Sequence, residues 1–370
     1  MIAKQKLIIG SRGSRLSLAQ SEHFKDELLL ANPDLRPNQI ELKVIKTSGD
    51  KFKTENLASM GGKGLFVKEI EQELLENNID CAVHSLKDVP TFGVPSLKLA
   101  AFLKRKDERD AFISPIAKSF ETLKPGSTVG TSSVRRVAQL KKLRKDLNIV
   151  SMRGNIDSRI EKVKEGIYDS IVLAYAGLKR LGFHNYVSEI LDKDKMLPAA
   201  GQGVVAIQCR SNDEELIKLL KSVNDKETEI IVSAERSFLH RVNGACDTPV
   251  AVNAVLNDDG EIFIQAEILS LDGKKVFNAH RTGISEKAVS IGLDVAEEIL
   301  RIYGYNNLKT GNLKTSYFAP SKTLEKRANK ERIANLLTSR GFSEAFTNSL
   351  TNSNYYESTE GLVNILNFNS

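Results

Sequence analysis

Cysteine is scarce in this chain: of 370 residues only Cys81, Cys209 and Cys246 carry thiols, an odd and widely spaced set. That excludes a disulfide framework and paired CxxC metal knuckles, and it points to a reducing cytoplasm. Long apolar runs are missing too. The opening MIAKQKLIIGSRGSRLSLAQ is too short in its apolar stretch for a signal h-region, and nothing further on is long enough to span a bilayer. The expectation is a protein neither exported nor membrane-embedded. Histidines at 23, 84, 184, 240 and 280 form no pair at metal-ligand spacing, so no metal is expected. Nucleotide motifs are absent as well: GGKGLF (61–66) lacks the spacing and hydroxyl of a P-loop, and GSRGSRLS lacks the dinucleotide fingerprint.

What is present is ordinary globular composition, 41% hydrophobic and 27% charged, over a length that suits two or three packed domains. A chain of this size buries a substantial core without staples. The net charge of +6 raises the question of nucleic acid. Clustering decides against it. KRK (104–106) and KKLRK (141–145) are followed closely by acidic residues and have no interleaved aromatics to stack on bases, so they read as solvated faces.

Short β-rich runs alternate with helical patterns through the first two hundred or so residues. QKLIIG reads as a strand and LSLAQSEHFKDELLL as a helix; IELKVIKT, a helix at GLFVKEIEQELLEN, and a nearly all-apolar strand at IDCAVHSL follow. The alternation continues with STVGTS and VRRVAQLKKLRKDL, NIVSMRG and NIDSRIEKVKEG, then YDSIVLAYAG. Strand, crossover helix and strand imply parallel sheets covered on both faces. After about residue 225 the texture changes to alternating residues broken at DDG and LDG, which are hairpin signals, followed by a helix expected to be capped by Ser285. That makes a small antiparallel α+β domain. Beyond Tyr305 the chain is rich in Asn, Ser, Thr and Lys, with one helical pattern at KTLEKRANKERIANLLTSRG and no catalytic pattern.

The parallel segments share a chemical regularity. Arg12 and Ser14 follow one strand; Ser85, Lys87 and Asp88 another; Thr131, Ser132, Ser133, Arg135 and Arg136 a third; Arg153 and Arg159 flank the turn after IVSM. Carboxyl ends of strands and the following helix N-termini form the ligand crevice of open α/β sheets. Backbone N–H groups there favour anions, and arginine adds a planar fork matched to carboxylate or phosphate. A ligand with many carboxylates fits best, although arginine count alone does not separate it from a polyphosphate.

VGTSSVRRVAQL, SMRGNIDSRI, GGKGLFVKEIE, AVHSLKDVP, LAYAGLKRLG, LPAAGQGVVAIQCR and NGACDTPV stand in the order and spacing of the porphobilinogen deaminase (hydroxymethylbilane synthase) family, and the resemblance runs from residue 4 to about 305. It implies an α/β fold of two periplasmic-binding-protein-like domains plus a small α+β C-terminal domain. The implied boundaries are 1–103 with 200–222, 104–199, and 223–305, with 306–370 an extension of unknown role. GQGVVAIQCR would cross back into the first domain. The implied activity is condensation of four porphobilinogen units, with loss of ammonia, on a dipyrromethane primer held by a thioether to Cys246. Asp88 matches the family's catalytic aspartate. Ser85, Lys87, Thr131, Ser132, Ser133, Arg135, Arg136 and Arg159 are implied to bind the cofactor; Arg12, Ser14, Lys63, Phe66, Arg153, Arg180 and Gln202 are implied to bind substrate. Lys63 and Phe66 belong to a glycine-rich segment beside a loop, roughly 47–63, that covers the site. A cytoplasmic monomer that hands its product to uroporphyrinogen-III synthase completes the expectation.

Three departures stand out. Ser59 replaces a lysine common in relatives, Ala245 replaces the usual glycine before the cysteine, and the tail from about Asn306 exceeds the usual chain. A cytoplasmic polycarboxylate-binding protein of the same architecture, an exported solute-binding protein or a basic RNA-binding protein would account for the arginines or the charge. None of them accounts for Cys246 and Asp88 together.

Overall fold

Strand β1 (Leu7–Arg12) opens the chain and hands over to helix α1 (Arg15–Ala31), whose N-terminus is capped by Ser14 accepting from the Ser17 N–H at 3.2 Å. A computed structural model describes residues 6–47, 67–244, 248–304 and 332–340; Ser59, Lys63, Phe66, Ala245 and Cys246 lie outside the described residues. Strand β2 (Ile40–Ile45), helix α2 (Lys68–Leu75), and strands β3 (Cys81–Ser85) and β4 (Leu97–Phe102) complete the first run. On β3, Cys81 and Val83 pack with Phe24 and Leu28 of α1, while Ala82 packs with Ile70 and Leu74 of α2. Both faces are covered, which is why this strand reads as a continuous apolar run. Each fully buried large side chain contributes roughly 1.5 to 3 kcal/mol.

The second run holds β5 (Asp110–Ile113), β6 (Thr128–Gly130), α3 (Val134–Leu143), β7 (Asn148–Val150), α4 (Ile156–Lys164), β8 (Ser170–Ala174), α5 (Tyr175–Arg180) and β9 (Glu189–Leu191). The chain then returns through β10 (Val205–Arg210) and α6 (Glu214–Leu220). The two five-stranded sheets have one layout, β2-β1-β3-β10-β4 and β7-β6-β8-β5-β9. In each, four strands point the same way and one, fourth in the order, runs antiparallel to both its neighbours. The all-parallel expectation therefore holds only for part of each sheet. The physical reason is the route of the chain: β5 and β10 are the strands that cross from one sheet into the other and enter from the opposite end. The two crossings run side by side, with Leu103 N–H donating to Val205 O at 3.0 Å and Lys106 N–H to Gly203 O at 3.1 Å. Gly203 sits there at φ +86°, and a Cβ would fall 2.4 Å from the Lys106 carbonyl, so only glycine fits.

Helix α7 (Lys226–Arg241) leads to three antiparallel strands, β11 (Val250–Leu256), β12 (Glu261–Leu269) and β13 (Val276–Ile284), and then to α8 (Ala288–Tyr303). Val252, Ile262 and Ile264 of the sheet pack with Phe238 of α7 and Val295 and Ile299 of α8. Ser285 is not the cap of α8; it begins a 3-10 turn, Ser285–Lys287, and the helix starts after it. Helix α7 escapes a reading by hairpin signals alone. Its mark in the sequence is Asp225, whose carboxylate accepts from the Thr228 N–H at 2.8 Å.

Residues 1–308 make up one unit and 309–370 another, in which 332–338 are helical and expose Ile333, Leu336 and Leu337.

Candidate active site

The turn Leu86–Asp88 follows β3 directly, so Lys87 and Asp88 stand at the carboxyl end of a central strand, Lys87 half-buried and Asp88 exposed. Arg12 closes β1; Ser132 and Ser133 lie between β6 and α3; Arg159 is on α4 and Arg180 ends α5. Two cavities collect these residues. One of about 280 Å³ is lined by Ser132, Ser133, Arg135 and Gln202, and by Gly244 and Thr248 on either side of the undescribed 245–247. The other, about 260 Å³, is lined by Arg12, Ser14, Ser85, Arg159 and Arg180. Lys87, Asp88 and Arg136 line both. Thr131 and Arg153 line neither: Thr131 is buried and accepts from the Ser133 N–H at 3.3 Å, and Arg153 is held by its carbonyl, which accepts from Lys162 Nζ at 3.0 Å.

The buried pair Arg135 and Arg136 converges on one carboxylate, Asp110, the first residue of β5. Arg135 Nη2 donates to Asp110 Oδ2 and Arg136 Nη2 to Oδ1, each at 2.7 Å, and Gln202 Nε2 adds a bond to Oδ1 at 2.9 Å. Burial alone would raise the Asp110 carboxyl; the two guanidinium groups overcome it and hold the group far below the usual carboxylate range. Two cations over one anion leave a net positive floor. Arg135 also donates to Leu197 O at 2.6 Å and Arg136 to Val172 O at 3.1 Å, while the buried Arg135 Nε–H has no partner among the described residues. Arg135 and Arg136, read from sequence as forks for a ligand's carboxylates, are thus built into the fold first, and they face a ligand with what remains.

Asp110 and Glu235 were invisible to motif reading, and Arg105, read within KRK as part of a solvated face, instead has a largely buried side chain in an ion pair. Glu235, fully buried on α7, accepts from Arg105 Nη1 at 2.6 Å, the Gly201 N–H at 2.7 Å and the Ala254 N–H at 2.9 Å. Arg105 Nε in turn donates to the Gln202 carbonyl at 3.0 Å. One carboxylate thereby ties both crossings to the third sheet and sets Gln202, whose side chain reaches Asp110 and, at 3.5 Å, Lys87. The acidic residue at 110 stands in KRKDERD, where neighbouring charges hide it; Glu235 lies mid-helix among small and apolar residues, and that mismatch is its one sequence signal.

Electrostatically the site favours anions. Burial brings Lys87 down to about 8, opposed by Asp88, and brings Arg159 down to about 10, with Arg136 and Arg153 adding to the effect. Burial lowers Arg180 as well. Bringing a carboxylate into such a site opposes that lowering, because an opposite charge nearby favours the protonated, cationic forms. Among the described residues Arg159 spends its Nε–H on Gly154 O at 2.7 Å, and Arg180 has no side-chain acceptor. On β3, His84 is buried, lowered to about 4 by that burial, and bonded to Gln208 Oε1 at 3.0 Å, so it is a neutral part of the core. Cys81 and Cys209 are buried thiols pushed up by desolvation, Cys209 to about 11, and are poor nucleophiles.

Asp110→Asn is expected to destabilise the fold by about 3 to 5 kcal/mol, because it leaves two buried guanidinium groups without a counter-charge. The native carboxylate has a depressed folded-state pKa, so its contribution is present above the unfolded value of about 3.9 and is lost as pH falls below it. Urea unfolding at pH 7 checks the loss. A midpoint within error of the native chain would show that Asp110 does not hold the arginines.

A family model described as "Porphobilinogen deaminase, dipyromethane cofactor binding domain" matches residues 7–218, and "Porphobilinogen deaminase, C-terminal domain" matches residues 230–301. Porphobilinogen deaminase of Nitrobacter winogradskyi is 46% identical over 291 residues, covering 79% of this chain and 92% of the relative. That of a Wolbachia of Drosophila simulans is 45% identical over 291 residues, covering 79% of this chain and 97% of the relative. Among solved structures, the methionine-binding protein MetQ overlaps 61% of this chain and 92% of its own at 14% identity, with a TM-score of 0.39.

Proposed function

The chain belongs to the porphobilinogen deaminase family, and from that membership we propose how its residues divide the work. The activity is that of a hydroxymethylbilane synthase, a transferase of tetrapyrrole and haem biosynthesis: porphobilinogen units are joined head to tail on a dipyrromethane cofactor, ammonia leaves, and hydroxymethylbilane is released by hydrolysis. The observation that carries the assignment of roles is the meeting of two cavities at Lys87, Asp88 and Arg136, one reaching Gly244 and Thr248 and the other lined by Arg12, Arg159 and Arg180.

Dipyrromethane carries acetate and propionate groups, and the first cavity fits them: it is lined by Lys87, Ser132, Ser133 and Arg135, the last with a buried N–H that lacks a partner among the described residues. When bound, the cofactor supplies the pyrrole carbon that receives the next unit. Cys246 is the proposed anchor, because a thiolate is a strong nucleophile toward an electrophilic pyrrole methylene. Asp88 is exposed to both cavities, where its carboxylate stabilises the cation left by porphobilinogen as ammonia departs and takes up the proton shed from the coupling carbon. Arg12 and Arg180 receive substrate carboxylates; Arg159, implied by the resemblance to bind the cofactor, lines their cavity and is assigned to substrate instead, and Gln202, implied to bind substrate, is assigned to orienting Lys87. Three domains with the boundaries given by the family resemblance, a monomeric state and a cytoplasmic location complete the proposal.

Arg159→Lys tests the second cavity. Lysine keeps the charge but loses the planar fork. Charge-assisted bonds of this kind contribute roughly 1.5 to 3 kcal/mol, so elongation is expected to slow by about one to two orders of magnitude while stability stays near native. Intact mass should show covalent species carrying fewer added pyrroles. A native rate and native mass ladder would remove Arg159 from substrate binding.

A further inference from the structure

Phe92 is 53% exposed, yet helix α7 holds both its ring and the backbone leading to it. Lone exposed aromatics are common and need no function; a braced one at the rim of a site is different. Its segment continues straight from Asp88. Arg236 of α7 donates through Nη1 to Val89 O at 3.1 Å and through Nη2 to Pro90 O at 2.9 Å, which fixes the backbone leading to Phe92. One turn further along the same helix, the His240 ring lies 4.3 Å from the Phe92 ring, centroid to centroid, at 37°. Helix α7 ends at Arg241, three residues before Gly244, which lines the cavity. A single helix therefore holds both the backbone that follows Asp88 and the Phe92 ring.

The same cavity is lined by Lys87, Arg135 and Arg136 and by Phe92 and Leu239. Charged donors with a flat apolar wall suit a ligand that has aromatic rings and carboxylates on one skeleton. We propose that Phe92, backed by His240, is a positioning residue for elongation: a stacking wall on which a pyrrole ring of the growing chain packs while the next unit is added at Asp88. The proposal rests on the reading of this cavity as the one that holds the growing chain. Stacking of this kind is worth about 2- to 10-fold in occupancy beyond simple burial. His240 supplies the second ring against which the Phe92 ring is held.

The chain contains no tryptophan, so Phe92→Trp creates a single tryptophan at the proposed wall, excited selectively over the tyrosines at the red edge of its absorption. With the cofactor-loaded protein, addition of porphobilinogen is expected to quench that emission in step with the appearance of heavier covalent species in intact mass. Phe92→Ala should keep the adduct and a melting temperature within a few degrees of native, raise KM about 10-fold and accumulate the shorter species; Phe92→Tyr should restore the native ladder. Should the alanine variant fail to fold, Phe92→Leu, which keeps volume without the aromatic face, is expected to give the same ladder. Emission that stays constant while the ladder advances, or a native KM and ladder in the alanine or leucine variant, overturns the wall. Absence of any adduct on the native chain sinks the underlying reading of the cavity and takes this proposal with it, a result separable from the others because it appears before substrate is added.

Discussion

Cys246→Ser is expected to give a folded chain with the intact mass of the bare polypeptide and turnover below detection. A serine hydroxyl is a far weaker nucleophile than a thiolate near neutral pH, so the covalent primer does not attach. The other thiols offer no substitute: Cys81 and Cys209 are buried and their thiols are pushed up by desolvation. Folding is expected to survive, because the described cores are built from residues elsewhere in the chain. Mass spectrometry, a melting curve and an assay of ammonia release together separate loss of the anchor from loss of the fold. Full turnover in the serine variant, or an adduct retained on it, would move the anchor to another residue.

Asp88→Asn separates attachment from chemistry. Asparagine keeps the size of the side chain while removing its charge and its capacity to carry a proton, so turnover is expected to fall by about 10² to 10⁴, the range for loss of a general acid or base. The adduct should still form in part, since the first cavity keeps Lys87, Ser132 and Arg135. Asp88 is exposed at the end of a 3-10 turn, so the variant should melt near the native temperature. A rate within a few-fold of native would place proton transfer elsewhere. A large loss of stability would give Asp88 a structural role that its exposure does not suggest.

Much of this protein was legible as a line of letters. Periodicity and turn residues located β1, α1, β3 and the DDG and LDG hairpins, because a strand buried on both faces must be continuously apolar and a hairpin must reverse within a few residues; Gly260 and Gly273 sit at φ +77° and +70°. Motif order identified the family and singled out Asp88 and Cys246. Those are local properties, and covalent chemistry depends on which atom a residue carries.

Tertiary structure decided what local pattern does not encode. The antiparallel fourth strand of each sheet follows from which end a crossing chain enters, and β10 meets β3 more than a hundred residues after it. Arg135 and Arg136 look like two free clamps until Asp110, 25 residues upstream of the first, proves to neutralise part of their charge in a buried site. Glu235 reaches Arg105 across 130 positions, and His240 reaches Phe92 across a similar span. Coulomb energy, desolvation and ring contact depend on distance through space and on the water displaced between groups. Separation along the chain sets neither, so the motifs marked the candidate residues, and the packing of α7 against the two crossings determined what holds Arg105 and Gln202 in place.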